Sequence, residues 1–164
     1  NAGISHMSSL IGVENLDAAR EEMAVNYFGT LAMVRAFASI LAANGGGAIL
    51  NVLTLGGLVS FPLAGSYCAS KAASHLMTQS IRAELASQGT LVTGIYPGAV
   101  DTDMAAHTTV PKEPPSVVVE AGLKAIAEGI EDVFPGKAAA EVWAGLLTDP
   151  KRVEKQRAQI FPSK

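Results

Sequence analysis

Ala48-Ile49-Leu50-Asn51-Val52-Leu53, followed by Thr54-Leu55-Gly56-Gly57, is the stretch on which the fold turns. A nearly continuous apolar run bounded by glycine on both sides is the pattern of a strand buried on both faces, and such strands belong to parallel sheets covered by helices. The flanking sequence supplies those helices. Upstream, Met23, Tyr27, Leu31, Val34, Phe37 and Leu41 recur at steps of three and four, from a capping residue at Asp17 to a stop at Asn44 and Gly45-Gly46-Gly47; this predicts one long amphipathic helix. Downstream, beyond Pro62, the segment Ser66 to Gln88 puts Ala69, Ala72, Ala73, Leu76, Met77, Ile81 and Leu85 on one stripe, with Gly89 as its stop. Leu91 to Tyr96 then reads as a second strand, ended by Pro97-Gly98.

Helix, strand, helix, strand predicts an α/β fold, a doubly wound parallel sheet with right-handed crossovers. The residues from Asp101 to Pro115 show no period and read as a long loop. Ser116 is the expected cap of a third helix running through Val119, Leu123 and Ile126 to Gly129. A short strand at Val133-Phe134 and a helical region from Ala138 to about Gln159, broken at Asp149-Pro150, complete a single domain over residues 1–164 with about three strands.

Composition narrows the class. Hydrophobic residues make up 49% and charged residues 16%, with mean hydropathy +0.29, which excludes a disordered chain. A net charge of -3 argues against nucleic acid as a partner; the one basic cluster, Lys151, Arg152, Lys155 and Arg157, is interleaved with Glu154 as on a solvated helix face. No apolar run approaches the roughly 20 residues that span a bilayer, so no membrane partner is expected. The opening residues carry no basic flank followed by an apolar stretch, so no secretory signal is expected. The single cysteine, Cys68, fits a reducing compartment, and the cytoplasm is the expected location.

Tyr67 and Lys71 lie four residues apart at the start of the second helix, hence on one face and one turn apart. A free phenol with a pKa of about 10 is a poor base, but a neighbouring cation can lower that by roughly 1 to 3 units, making it an acid/base for a carbonyl or an alcohol. Such a pair is common by chance in helices, so context decides. Thr54 stands at the carboxyl edge of the first strand, where open α/β sheets bind ligands. Asn26 sits inside the first helix between Val25 and Tyr27, where an asparagine needs a polar partner if buried.

Five segments in order resemble the short-chain dehydrogenase/reductase family. Asn1-Ala2-Gly3 resembles the end of its Asn-Asn-Ala-Gly motif, and Asn26-Tyr27-Phe28-Gly29 its Asn-x-x-Gly helix motif. Asn51-Val52-Leu53-Thr54 stands where Asn-x-Ser-Ser is usual. Ser66-Tyr67-Cys68-Ala69-Ser70-Lys71-Ala72 is similar to the Tyr-x-x-x-Lys helix, and Pro97-Gly98-Ala99-Val100-Asp101-Thr102 to the Pro-Gly-x-Val-x-Thr turn. The resemblance implies the C-terminal catalytic half of a Rossmann-like fold and an NAD- or NADP-dependent oxidoreductase acting on a small-molecule carbonyl or secondary alcohol. It implies Tyr67 as acid/base, Lys71 as modulator of Tyr67 and holder of the nicotinamide ribose, Thr54 as orienter of the substrate oxygen, and Asn26 as anchor of a relay water. Asn1, Gly3, Pro97, Gly98, Val100 and Thr102 would line the cofactor.

The sequence departs from the family in two places. Threonine replaces the usual serine at Thr54, and no glycine-rich strand-to-helix turn precedes Asn1 to seat a pyrophosphate. That leaves a second reading in play, a noncatalytic assembly module that keeps the oligomer-forming helices. Without the nucleotide-binding half the first strand is expected to lose its neighbour and present an apolar edge. Family members commonly pair the two long helices, which implies a homodimer or homotetramer. Cys68 and Trp143 read as core packing, Asp101 and Asp103 as loop acids, and His6, His75 and His107 have no ligand spacing for a metal. His107 falls where the family's substrate lid lies.

Overall fold

The computed structural model describes residues 1–106 and 108–159; His107 lies outside the described residues. Three parallel strands, β1 (Gly47–Val52), β2 (Thr90–Ile95) and β3 (Asp132–Val133), stand in the order β1-β2-β3. Ile49 pairs with Val92 and Val52 with Ile95. Because successive strand residues face opposite ways, Ile49 and Val92 look to one side, where they join Val34 of α2 (Thr30–Ala43) and Met77, Ile81 and Leu85 of α3 (Gly65–Leu85). On the other side Gly122 of α4 (Pro115–Glu128) meets Leu50 and Ile95. Helices therefore cover both faces of the parallel sheet, the doubly wound arrangement expected from the sequence. Asn51 turns toward α3 and donates to Thr78 Oγ1 at 2.9 Å, which satisfies a buried polar group in that layer.

The first long helix is continuous but not uniform. α1 (Asp17–Glu22) passes through a π-helical segment, Met23–Gly29, into α2. The whole span Asp17–Ala43 has 27 residues and a hydropathy of 1.3, long and apolar enough by length and composition to cross a bilayer. That corrects the expectation that no such stretch exists. Only 11% of its most apolar window is buried, and Glu22, Asn26 and Val34 are the residues of this helix that pack fully against the domain.

Two caps differ from expectation. Asp17 does not cap; Asn15 Oδ1 accepts the Asp17 N–H at 2.9 Å, and Asp17 itself pairs with Arg20. Ser116 is preceded by Pro115, which takes the first helical position, where its missing N–H costs nothing. The expected break near the C-terminus is present: Asp149 Oδ1 accepts the Arg152 N–H at 2.9 Å between α5 (Gly136–Thr148) and α6 (Pro150–Ala158). Trp143 stacks on Phe134 with centroids 4.4 Å apart, and Phe134 on Tyr96 at 5.0 Å.

Beyond the active helix face, Arg82 ties three elements together. Its Nε donates to Val92 O at 2.9 Å and its Nη2 to Glu131 O at 2.8 Å and Asp132 Oδ1 at 2.9 Å. Asp132 also accepts from Tyr96 Oη at 3.0 Å, which His75 Nδ1 meets at 2.7 Å. The Arg82 side chain is 16% exposed, so Arg82→Ala should leave these acceptors short of donors and cost about 2–3 kcal/mol. A urea unfolding curve with an unmoved midpoint would show that the network contributes nothing. Among the described residues β1 pairs only with β2.

Candidate active site

The site forms where β1 and β2 end. Thr54 follows β1 by two residues and Pro97 follows β2 by two, so parallel pairing brings both to the carboxyl edge of the sheet. Thr54 Oγ1 accepts the Gly56 N–H at 3.2 Å and donates to Pro97 O at 3.3 Å, which fixes the hydroxyl and caps the short 3-10 turn Leu55–Gly57. That turn runs close against α3: a Cβ on Gly57 would stand 2.9 Å from Lys71 O. Only glycine permits the approach that sets Thr54 beside the start of α3.

Tyr67 and Lys71 lie on that start. The Thr54 hydroxyl lies near enough to the Tyr67 phenol to pull its pKa down, and Lys71 Nζ lies 6.0 Å from the Tyr67 ring centroid. Lys71 is 6% exposed, and its ammonium donates to Val52 O at 3.0 Å. An ammonium has three N–H donors, so one is spoken for by protein. The electrostatics differ from the expectation of a depressed phenol. Burial pushes Tyr67 up to about 12, the neighbouring Cys68 and Glu22 push the same way, and only the Thr54 hydroxyl pulls it down. Burial likewise holds the Lys71 ammonium below the ordinary lysine range. Desolvation therefore dominates at both groups.

Asn26 enters from the π-helical segment. It is 1% exposed, and its Oδ1 accepts the Ile4 N–H at 2.9 Å. Its Nδ2 donates to Ile4 O and to Ser70 Oγ, each at 2.9 Å. Its main-chain carbonyl accepts the Thr30 hydroxyl at 2.8 Å and the Ser74 hydroxyl at 3.0 Å. A π turn displaces a helical residue from its usual register and is common at functional sites; here it carries an asparagine whose two amide N–H groups are both engaged with protein. Gly3 lies against this group, since a Cβ there would fall 3.2 Å from Asn26 Oδ1 and 3.4 Å from Lys71 Nζ.

The structure thus brings together Asn26, Thr54, Tyr67, Lys71, Gly3 and Pro97, with Gly98 beside Leu55. Asn1 is exposed, Val100 bridges to Glu113, and Thr102 is exposed with its hydroxyl donating to Val100 O at 3.3 Å. Cys68 is buried and its thiol is pushed up by burial, which suits core packing. Sequence reasoning missed Glu22, Ser70, Ser74 and Gly57. Ser70 and Ser74 were findable, because they lie three and seven residues after Tyr67 on the same helix. Gly57 had no signal, because its role depends on a contact with a helix packed against it.

The donors fit a nicotinamide ribose: two ammonium protons of Lys71 have no protein acceptor among the described residues, and Gly3 lets the main chain approach that ammonium without a side chain between them.

The family model for short chain dehydrogenase matches residues 1–113. Galactitol 2-dehydrogenase (L-tagatose-forming) of Cereibacter sphaeroides is 40% identical over 107 residues, 63% of this chain and 41% of that protein. A short chain dehydrogenase from Burkholderia cenocepacia J2315, solved in complex with NADP, superposes with a TM-score of 0.91 at 40% identity, covering 99% of this chain and 67% of that one. A gluconate 5-dehydrogenase from the same organism, solved with NADP and tartrate, gives a TM-score of 0.63 at 28% identity over 68% of this chain and 43% of that one. The chain spans about two-fifths of the length of the galactitol 2-dehydrogenase it matches.

Proposed function

Because this chain belongs to the short-chain dehydrogenase family, with a Rossmann-like parallel sheet, we propose that it carries the catalytic centre of an NAD- or NADP-dependent oxidoreductase interconverting a carbonyl and a secondary alcohol. The observation that carries this reading is the meeting of Thr54, Tyr67 and Lys71 at one sheet edge, with the Thr54 hydroxyl near enough to the phenol to lower its pKa and Lys71 Nζ 6.0 Å from its ring.

When bound, the nicotinamide supplies or accepts hydride. Thr54 turns its one O–H from Pro97 O to the substrate oxygen and so holds it beside the Tyr67 hydroxyl, and Tyr67 gives that oxygen a proton in reduction or takes one in oxidation. Lys71 holds the ribose with its free N–H groups while Val52 O fixes its position. Asn26 holds Ile4 by main-chain N–H and C=O, so the Gly3 segment stays against Lys71. Anchoring of a relay water by Asn26 would have to use lone pairs left over from these contacts.

The test is direct. The full-length protein, supplied with NADPH or NADH and a panel of ketones and aldehydes, should consume the reduced nicotinamide, read as loss of its near-ultraviolet absorbance. No consumption with either cofactor, in a protein shown to be folded, would overturn the reading.

Self-association accompanies this proposal. Phe28, Met33, Phe37 and Ile40 on the first helix and Leu76 on α3 are exposed. Leu76 also lines a groove of about 660 Å3 between the two helices, with Tyr27, Leu31, Ala73, Met77 and Ile81. An apolar face of this kind needs cover, and a second copy of the chain meets that need isologously. Phe37→Glu should then halve the mass seen by light scattering, and an unchanged mass would remove this face from the assembly. The same face supports the second reading, a module that assembles without turnover, which the absorbance assay separates from the first. The single, buried Cys68 is compatible with a cytoplasmic location, which we keep as part of the proposal.

A further inference from the structure

Glu22 is the most deeply buried charged residue next to this centre, at 0% exposure, and neither proton transfer nor cofactor binding uses it. Its Oε1 accepts the His6 N–H at 2.7 Å, while its Oε2 is buried with no protein partner among the described residues. A buried carboxylate with one oxygen unmatched is costly, and an apolar residue of similar size would fill the same space without that cost. Glu22 lies four residues before Asn26, so the two side chains leave the helix on one face, one turn apart. They grip the same strip of chain, Asn26 at Ile4 and Glu22 at His6.

The residue after that strip carries an independent sign of constraint. Met7 has φ 49, the left-handed region that an ordinary side chain enters only when its surroundings over-determine it. His6, one residue before, is where Glu22 fastens the main chain. Upstream, the grip ends at Gly3, which stands against Asn26 Oδ1 and Lys71 Nζ.

We propose that Glu22 is a positioning residue: with Asn26 it clamps the main chain from Ile4 to His6, and through that clamp it sets the height of Gly3 over Lys71. Glu22 touches no reacting atom. It acts through the segment it holds, and its effect on turnover rests on the oxidoreductase reading, whereas the clamp itself does not.

Amide hydrogen exchange on the full-length protein tests the clamp without cofactor. The His6 amide should exchange at least about 100-fold more slowly than the exposed amides of Val13 and Glu14; equal rates in the unmodified protein overturn the proposal with no variant needed. Glu22→Met, which fills the space and removes the acceptor, should speed His6 exchange about 10- to 100-fold while leaving the amides of α3 unchanged. It should also raise the dissociation constant for NADP or NAD about tenfold. Glu22→Gln keeps an oxygen for the His6 N–H and should restore both readouts to within about twofold of the unmodified protein. Unaltered His6 protection in Glu22→Met, or a Gln variant as impaired as the Met variant, refutes the role. A His6 amide protected through Glu22 in a protein that binds neither nicotinamide cofactor would instead refute the oxidoreductase reading and leave the clamp standing.

Discussion

Tyr67→Phe in the full-length protein should lower kcat about a thousandfold, the scale of a lost general acid/base, while the urea midpoint barely moves. The fold is expected to tolerate the change because Thr54, the phenol's polar neighbour, is held by Gly56 N–H and Pro97 O whether or not the phenol is present. Loss of a weak polar contact of this kind costs at most about 1 kcal/mol. The ring stays, so packing at the start of α3 is preserved. Cofactor affinity should stay within about threefold, since Lys71 is fixed by Val52 O and not by the phenol. Turnover within tenfold of the unmodified enzyme would remove Tyr67 from the proton path.

The sequence made the architecture legible because its signals are local. The apolar run at 48–53 lies within one residue of β1, and the stripe from Ser66 onward within one residue of the start of α3. Glycine and proline boundaries mark ends that backbone conformation requires, so they transfer well. Caps transferred less well: Asn15 and Pro115 outcompete Asp17 and Ser116 by one or two positions. The π segment left only a faint trace. Met23, Tyr27 and Leu31 are two steps of four in succession, a longer period than 3.6, and the wider turn falls on the first of those steps.

The site was legible in membership more than in electrostatics. Spacing four residues apart brings Tyr67 and Lys71 to one face, and the end of a parallel strand brings in Thr54. Neither fact states how much water each group loses on folding. That loss decides the outcome here, since burial drives Tyr67 up and Lys71 down, against a cation expected to lower the phenol. The sign for stability follows. A folded-state value raised above the ordinary tyrosine value near 10 favours the protonated phenol, a contribution present below pH 10 and lost as the pH climbs from about 10 to about 12. Glu22 was hidden for a related reason. One acid in the first turns of a helix reads as a favourable dipole partner, and its burial appears only when the chain from Ile4 to His6 folds across it.

Lys71→Met separates binding from stability at the same position. The thioether keeps the stem's volume and removes the ammonium, so the NADP or NAD dissociation constant should rise about 10- to 100-fold, the scale of hydrogen bonds from a charged donor, and kcat should fall with it. Stability is expected to move little, because two effects oppose. Val52 O loses its donor, which costs about 1 kcal/mol. Against that, the folded state no longer has to bury an ammonium whose ordinary charge burial already disfavours, and removing a desolvated charge is commonly neutral or stabilising. On this reading Lys71 serves what it holds and not the fold, the opposite of Arg82, three of whose donors end on protein acceptors. Titration of nicotinamide fluorescence alongside a urea curve reads both quantities on one preparation. Unchanged cofactor affinity together with a large fall in the unfolding midpoint would make Lys71 a structural clasp for Val52 and take the ribose out of its reach.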